Sequence, residues 1–179
     1  YEAWQDSMDR RVAIKVLPKT VAVDSRAVSR FIREAQVAGK LSHPNIVQVH
    51  GMGVEEQIPY YAMEFVEGET LAQVLARLKG APLEEKTPFG FPRDDVAYYS
   101  ALARAFADVA DGLQHAHSKG VIHRDIKPSN LILDREGRLR ILDFGLARLE
   151  GQESLTASGD FMGTVLYMSP EQAMAKRIP

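Results

Sequence analysis

The sequence predicts an α+β fold, on the basis of three local patterns. Residues 12–17 set the β-branched Val12, Ile14 and Val16 against Ala13, Lys15 and Leu17 with a period of two, which is typical of a β-strand. Helical periodicity follows Asp24, and a longer amphipathic pattern extends from about Asp95 to Lys119. Two short apolar runs, residues 131–133 and 139–142, flank a turn-forming segment and predict a hairpin. We therefore expect strands near the N-terminus, a helix after them, and a long helix before the hairpin.

The first strand places Ala13 and Lys15 on one face, because side chains two residues apart in a strand point the same way. The helix that follows has Asp24 as its predicted N-cap. Its apolar positions recur at helical spacing and are Val28, Phe31, Ile32, Ala35 and Ala38.

The long helix is expected to end before Gly120 and to bury one apolar stripe. The stripe comprises Leu102, Phe106, Val109 and Leu113. His115 and His117 lie two residues apart, on different faces of the helix, so a structural role is favoured over metal binding. Before this helix, residues 79–94 are rich in proline and glycine and predict a surface loop, to which we assign no function.

Residues 123–130 and 143–145 combine the chemical groups that phosphoryl transfer from a metal-bound nucleotide requires. Asn130 and Asp143 supply hard oxygen ligands of the kind that Mg²⁺ prefers. Lys127 supplies a cation for the transferring phosphate, and Asp125 a carboxylate for the attacking hydroxyl. Because a hairpin folds the chain back, Asn130 and Asp143 are expected to lie side by side. The sequence shows no ligand cluster for zinc.

These segments resemble the catalytic core of the eukaryotic-type (Hanks-type) serine/threonine protein kinases. The motifs are His123-Arg124-Asp125-x-Lys127-Pro128-x-Asn130, Asp143-Phe144-Gly145 and the lysine strand Val12-Ala13-Ile14-Lys15. The closing Ser169-Pro170-Glu171-Gln172 is similar to the form found in bacterial members. The resemblance implies a two-lobe kinase fold. Residues 1–66 would form a partial N-lobe, and residues 67–179 the hinge exit and a partial C-lobe through the activation segment.

The resemblance also implies an activity and site residues. ATP and Mg²⁺ would be used to phosphorylate serine or threonine hydroxyls of proteins in signal transduction, with Asp125 and Lys127 catalytic and Asn130 and Asp143 as metal ligands. The ATP-binding positions would be Ala13, Lys15, Glu34, Met63, Glu64, Val66 and Ile132. Structural or regulatory roles would fall to His123, Arg124, Phe144, Gly145, Thr164 and Glu171. Thr156 or Ser158 is expected to be autophosphorylated, with Arg124 pairing with the phosphate.

Two departures from the family pattern concern the ends of the chain. The glycine-rich loop that should precede Lys15 has no counterpart between Tyr1 and Arg11, and the sequence ends soon after Glu171. We therefore expect an internal fragment, truncated at both ends, of an active parent kinase, with weak or no activity in isolation. A pseudokinase or nucleotide-binding scaffold is the alternative. Such a protein would usually have lost Lys15, Asp125 or Asp143, and all three are present.

Composition limits the other classes of function. The 179 residues carry a net charge of −2, which favours neither nucleic-acid binding nor membrane contact by this segment. There are no cysteines, which excludes disulfides and fits a cytoplasmic location. The first residues do not resemble a signal peptide, and the resemblance allows a parent protein that is membrane-anchored with a cytoplasmic kinase domain. The expected partners are ATP and protein substrates.

Overall fold

An antiparallel four-stranded sheet forms the N-terminal part of the protein. In a computed structural model, which describes residues 1–144 and 166–174, its strands are β1 (Glu2–Gln5), β2 (Arg10–Val16), β3 (Val49–Glu55) and β4 (Ile58–Glu64). Their order across the sheet is β1-β2-β4-β3. The register sets Lys15 opposite Tyr61 and Ala13 opposite Met63. Directly opposed residues share a face of the sheet, so these four side chains lie on one face.

Helices α1 (Lys19–Ala22) and α2 (Ser25–Ala38) connect β2 to β3. The carboxylate of Asp24 caps α2 as predicted, since its Oδ1 accepts a hydrogen bond of 2.9 Å from the Arg26 amide. A small core of Leu17, Phe31, Ala35 and Tyr61 joins α2 to the sheet. Glu34 lies on the same buried face and is only 7% exposed. A carboxylate in that position needs partners, which the site described below supplies.

The second sheet contains the predicted hairpin. It has the order β5-β6-β7, with strands β5 (Gly68–Thr70), β6 (Leu131–Asp134) and β7 (Leu139–Ile141). Asp134 fixes the hairpin turn by accepting a hydrogen bond of 2.7 Å from the Arg138 amide. At Gly68 a Cβ atom would lie 2.1 Å from the Leu133 carbonyl oxygen, so only glycine fits where β5 meets β6.

Helices α3 (Leu71–Leu78) and α4 (Val96–Ser118) pack in the C-terminal part. The prediction for α4 is confirmed in extent, with Asp95 as its N-cap and Gly120 at a positive φ of 73° just after it. The predicted buried stripe is wrong at Phe106, which is 42% exposed. The buried positions are instead Ala105, Val109, Gly112 and Ala116.

Close packing of α4 against β7 explains this difference. A Cβ atom on Gly112 would lie 3.3 Å from Ile141 Cδ1 and 3.4 Å from His43 Nδ1. Small residues are therefore required on the face that contacts the strand, and the larger Phe106 lies on another face.

Ring contact with His115, at 5.4 Å between centroids, gives His43 a packing role. Among the residues that the structure describes, no three histidine, cysteine, aspartate or glutamate side chains are grouped so as to hold a metal ion.

The main core surrounds the hairpin and draws on both parts of the chain. The segment between α2 and β3 contributes Leu41 and Ile46, and its Val47 amide donates to the Ile141 carbonyl at 3.0 Å. Residues 79–94 fold over this core, with Phe89 packed against it and the Arg93 amide bonded to the Leu83 carbonyl at 2.8 Å. Helix α5 (Pro170–Ala173) is short. Within 1–144 and 166–174, no helix combines the length and apolarity needed to cross a bilayer.

Candidate active site

The hairpin brings the two predicted metal ligands together. A short 3₁₀ helix, Pro128–Asn130, leads into β6, and Asp143 follows β7. The Leu142 amide donates a hydrogen bond of 2.8 Å to the Asn130 carbonyl. Asn130 and Asp143 thus lie on neighbouring chain segments at the same end of the hairpin, as the sequence predicts.

Three side chains of the loop before β6 form one cluster, which we call the loop cluster: Asp125, Lys127 and Asn130. Lys127 Nζ lies 3.0 Å from Asp125 Oδ2. The Asn130 amide nitrogen donates to the Asp125 carbonyl at 2.8 Å and to its Oδ2 at 3.1 Å. Both of these hydrogen bonds use Nδ2, so Oδ1 is the Asn130 atom suited to a metal ion.

The ring of His123 joins the backbone of this loop to that of the chain after β7 through two hydrogen bonds. Its Nε2 lies 2.9 Å from the Leu142 carbonyl, and its Nδ1 accepts a hydrogen bond of 3.3 Å from the Asp125 amide. We assign the proton to Nε2, because this tautomer satisfies both contacts. Burial lowers the pKa of His123, which keeps the ring neutral. The ring packs against Phe144 with 4.8 Å between centroids, so both residues have structural positions.

Arg124 connects the loop to α5. Its backbone is left-handed, with a φ of 65°, and its carbonyl accepts a hydrogen bond of 2.7 Å from Gln172 Nε2. Gln172 also forms a capping box with Ser169 at the start of α5. The Arg124 Nε is buried and has no hydrogen-bond partner among the described residues. Glu171, in the first turn of α5, is exposed.

A second cluster joins the first sheet to the end of the hairpin. We call it the sheet cluster, and it consists of Lys15, Glu34, Tyr61 and Asp143. Lys15 Nζ lies 2.8 Å from Glu34 Oε1 and 3.0 Å from Asp143 Oδ1. The Tyr61 hydroxyl lies 3.0 Å and 3.1 Å from the same two oxygen atoms. The lysine–glutamate pair implied by the family resemblance is therefore formed, while Tyr61 was not predicted.

The charges of this cluster stabilise one another. Burial alone would lower the pKa of Lys15, but the carboxylates of Asp143 and Glu34 together outweigh it and hold that pKa above its usual value. Burial raises the pKa of Tyr61, and the same two carboxylates raise it further. Lys15 therefore stays charged, and Tyr61 stays a neutral hydrogen-bond donor.

The connection between the two sheets is held by an ion pair. Arg140, on β7 and 8% exposed, contacts both carboxylate oxygens of Glu64 at 2.6 Å. Burial favours a higher pKa for Glu64, but the hydrogen bonds and charge of Arg140 hold it below its usual value. The Glu64 amide donates to the Gln48 carbonyl at 2.8 Å. Three residues after Glu64, Glu67 forms ion pairs with Arg11 and with Arg135.

Sequence reasoning missed Arg140 and Tyr61. A signal existed for Arg140, since it is the one charged residue in the apolar run 139–142 and a buried arginine needs a partner. Tyr61 gave no comparable signal. Four apolar residues among the predicted ATP-binding positions are half-buried. Ala13 lies on β2, Met63 on β4 and Ile132 on β6, and Val66 lies between β4 and β5. Gly145, Thr156, Ser158 and Thr164 lie outside the described residues.

An antiparallel sheet joined to a helical part, with a lysine–glutamate pair and a loop of aspartate, lysine and asparagine, is the arrangement of the protein kinase fold. The model of the protein kinase domain family matches residues 1–178, and the chain belongs to this family. Similar curated proteins are bacterial serine/threonine kinases. The chain is 39% identical over 166 residues to the serine/threonine-protein kinase PrkC of Bacillus subtilis and 39% identical over 165 residues to a probable kinase, PknB, of Lactococcus lactis.

The fold is also that of a solved kinase. The crystal structure of the Mycobacterium tuberculosis PknI kinase domain matches 99% of the chain with a TM-score of 0.69 and 28% identity. The protein kinase fold is thereby confirmed. The matches cover 93% of this chain but 23% of PrkC, 92% but 24% of PknB, and 59% of the solved PknI chain. The chain thus spans about a quarter of the length of these curated relatives.

Proposed function

We propose that the protein carrying this sequence transfers the γ-phosphate of ATP to serine and threonine hydroxyls of proteins. The observation that carries this proposal is the hydrogen bond between Leu142 and Asn130, which joins the two clusters at one end of the hairpin. It brings Asp143, and with it Lys15, next to the loop that holds Asp125 and Lys127. The Lys127-Pro128 pair and the names of the bacterial relatives support serine and threonine as acceptors.

The residues present fit a magnesium ion. Asp143 offers a partly exposed carboxylate, and Asn130 offers Oδ1 because its amide nitrogen is held by Asp125. Both are hard oxygen ligands, which suit Mg²⁺. A metal ion bound there would neutralise negative charge on the phosphates. Lys15, held by Glu34, would bind the α- and β-phosphates.

The adenine would lie against the connection between the sheets. Because the Glu64 amide donates to Gln48, we assign the contact with the base to the Glu64 carbonyl, together with the Val66 backbone. Ala13, Met63 and Ile132 would form the apolar surfaces around the ring. All three are half-buried in the structure, as the walls of an open cleft should be.

In the proposed reaction, Asp125 orients the substrate hydroxyl and accepts its proton. The hydroxyl oxygen bonds to the γ-phosphorus while the bond from that phosphorus to the oxygen shared with ADP breaks. Lys127, 3.0 Å from Asp125 Oδ2, lies where it can neutralise charge on the moving phosphoryl group. Asn130 holds Asp125 in place through its amide nitrogen.

A labelling experiment tests this function. The natural full-length protein is incubated with ATP labelled at the γ-phosphate, Mg²⁺ and a general protein substrate, and the labelled product is hydrolysed to its amino acids. We expect phosphoserine and phosphothreonine, and no labelling when Mg²⁺ is chelated. A protein that binds ATP but labels nothing would support the scaffold alternative instead.

We also propose that Arg124 receives a phosphate placed on Thr156 or Ser158. The support is its buried Nε, which has no hydrogen-bond partner within the described part of the chain, and a phosphate oxygen would satisfy it. Phosphopeptide mapping of an active preparation should find one of these residues modified, and finding both unmodified would refute this regulation.

We place this segment in the cytoplasm, where ATP is available and a chain without cysteine needs no oxidising compartment.

A further inference from the structure

Tyr61 contacts both carboxylates of the sheet cluster. Its hydroxyl lies 3.0 Å from Glu34 Oε1 and 3.1 Å from Asp143 Oδ1. Lys15 Nζ contacts the same two atoms, at 2.8 and 3.0 Å. One cationic donor and one neutral donor therefore face the same pair of acceptors.

The position of the tyrosine ring is fixed by packing. Tyr61 is 2% exposed and its ring lies against Phe31, with 5.1 Å between centroids. Phe31 and Glu34 are three residues apart on α2 and so lie on one face of the helix. The same packing that buries the ring thus carries its hydroxyl to Glu34. On the sheet, the register sets Tyr61 directly opposite Lys15.

The two donors differ in how many hydrogen bonds they can give. A phenol has one proton to donate, so Tyr61 serves Glu34 or Asp143 at any moment, whereas the Lys15 ammonium has three. A metal ion on Asp143, as the proposed function requires, would compete with Tyr61 for that carboxylate. The single Tyr61 proton would then serve Glu34.

We propose that Tyr61 is a positioning residue, which keeps Glu34 and, through it, Lys15 in place when Asp143 binds the metal ion. This inference rests on the proposed function and adds a residue to it. A phenylalanine would fill the same space, so packing alone does not explain the hydroxyl. Burying a hydroxyl is unfavourable unless it is hydrogen-bonded, and here both of its acceptors belong to the site.

The variant Tyr61→Phe in the full-length protein tests this role, because it removes only the hydroxyl. We expect the dissociation constant for MgADP, measured by calorimetry, to rise about tenfold, as for the loss of one hydrogen bond to a charged group. The KM for MgATP should rise by a similar factor, while kcat at saturating MgATP falls less than about threefold. Tyr60→Phe is the matched control. Its ring lies on the other face of β4, over Gly53, and binding should not change.

A second variant shows whether Tyr61 acts through Glu34. Glu34→Met keeps the length of the side chain and removes the acceptor. In that background, adding Tyr61→Phe should weaken MgADP binding by less than about twofold, because the partner is already lost. The inference is overturned if Tyr61→Phe binds MgADP within twofold of wild type, or if the full tenfold effect persists without Glu34. Wild-type protein that binds no MgADP would overturn the proposed function as well.

Discussion

The loop cluster and the sheet cluster are built in different ways. The loop cluster takes all its members from residues 125–130, a single stretch of chain. The sheet cluster takes Lys15 from β2, Glu34 from α2, Tyr61 from β4, and Asp143 from the residues after β7. One cluster is therefore positioned by local backbone geometry, and the other exists only once both parts of the fold have formed.

Because the clusters are built differently, we expect substitutions in them to differ in their effects on turnover and on the stability of the fold. A substitution in the loop cluster removes a reacting group from one local stretch of chain, so we expect it to reduce turnover and to leave the fold intact. A substitution in the sheet cluster also removes contacts between distant parts of the fold and weakens the pairing of the buried Glu34 carboxylate, so it should reduce stability as well. Measuring activity and unfolding for the same set of variants tests whether the two clusters differ in this way.

The largest effect is expected for Asp125→Asn in the loop cluster. The amide cannot accept the substrate proton, so kcat should fall by about 10²- to 10⁴-fold. The dissociation constant for MgADP should stay within about twofold of wild type, because Asp125 faces the hydroxyl rather than the nucleotide. Phosphate transfer and calorimetry measure the two quantities. Asp111→Asn, on the exposed face of α4, is the control for a neutralised aspartate.

The result that would contradict this prediction is turnover by Asp125→Asn within tenfold of wild type. The loop cluster would then be a structural feature, and the scaffold interpretation would gain support. A fall in turnover together with a lower free energy of unfolding would also remove the proposed contrast between the two clusters.

Lys15→Met is the corresponding variant of the sheet cluster. It removes the cation between Glu34 and Asp143, so kcat/KM for ATP should fall by about 10²-fold. The free energy of unfolding should also fall by about 1–3 kcal/mol, because two carboxylates then face each other with only Tyr61 between them. Urea unfolding measures this change. Lys19→Met is the control, since Lys19 pairs with Glu56 at 3.7 Å on the surface and should contribute little.

A smaller effect is expected at the ion pair that joins the sheets. Glu64→Gln keeps a hydrogen bond to Arg140 but removes the charge, so stability at pH 7 should fall by about 1 kcal/mol. Arg140 and the nearby His50 both favour the charged form of Glu64, and Arg140 contributes the hydrogen bonds. The exposed Glu55→Gln is the control on the same sheet.

The effect of Glu64→Gln should depend on pH in a definite direction. The pKa of Glu64 in the folded protein lies below its ordinary value of 4.5, so its contribution is fully present above that pH. The contribution is lost as the pH falls through the folded pKa. Unfolding measured from pH 7 to pH 3 should therefore show wild type and variant converging in acid. A difference that grows below pH 4.5 would be incompatible with the ion pair.

The sequence predicts the loop cluster and the sheet cluster to different extents. All three residues of the loop cluster were singled out from the sequence, where they are neighbours, and the turn chemistry of the hairpin after them predicted that Asn130 lies beside Asp143. The Lys15–Glu34 pair was implied by the family resemblance, since spacing alone does not say that α2 packs against the sheet with Glu34 next to Lys15. Tyr61 was missed for the same physical reason. Strand register decides that it faces Lys15, and local residue patterns do not reveal register.

The error at Phe106 has a different origin. Apolar periodicity predicts which residues could be buried in α4, but the distance to the neighbouring strand decides which of them fit. With β7 so close to Gly112, three of the four buried positions, Ala105, Gly112 and Ala116, are small residues that carry little hydrophobic signal. Arg140 was missed although its pattern was visible. A charged residue in a buried strand indicates an ion pair, but its partner, Glu64, is in a distant part of the sequence.

The smallest effect is expected at the support of the loop cluster. Gln172→Ala removes the donor that holds the Arg124 carbonyl at 2.7 Å, next to Asp125 and in a left-handed backbone conformation. The loss of one hydrogen bond should reduce kcat by about threefold to tenfold with little change in the KM for ATP, because the sheet cluster is untouched. Met174→Ala, at an exposed position just after α5, should leave kcat unchanged. An increase in the KM for ATP with kcat unaltered would instead mean that α5 acts on nucleotide binding, and that the two clusters are coupled through this helix.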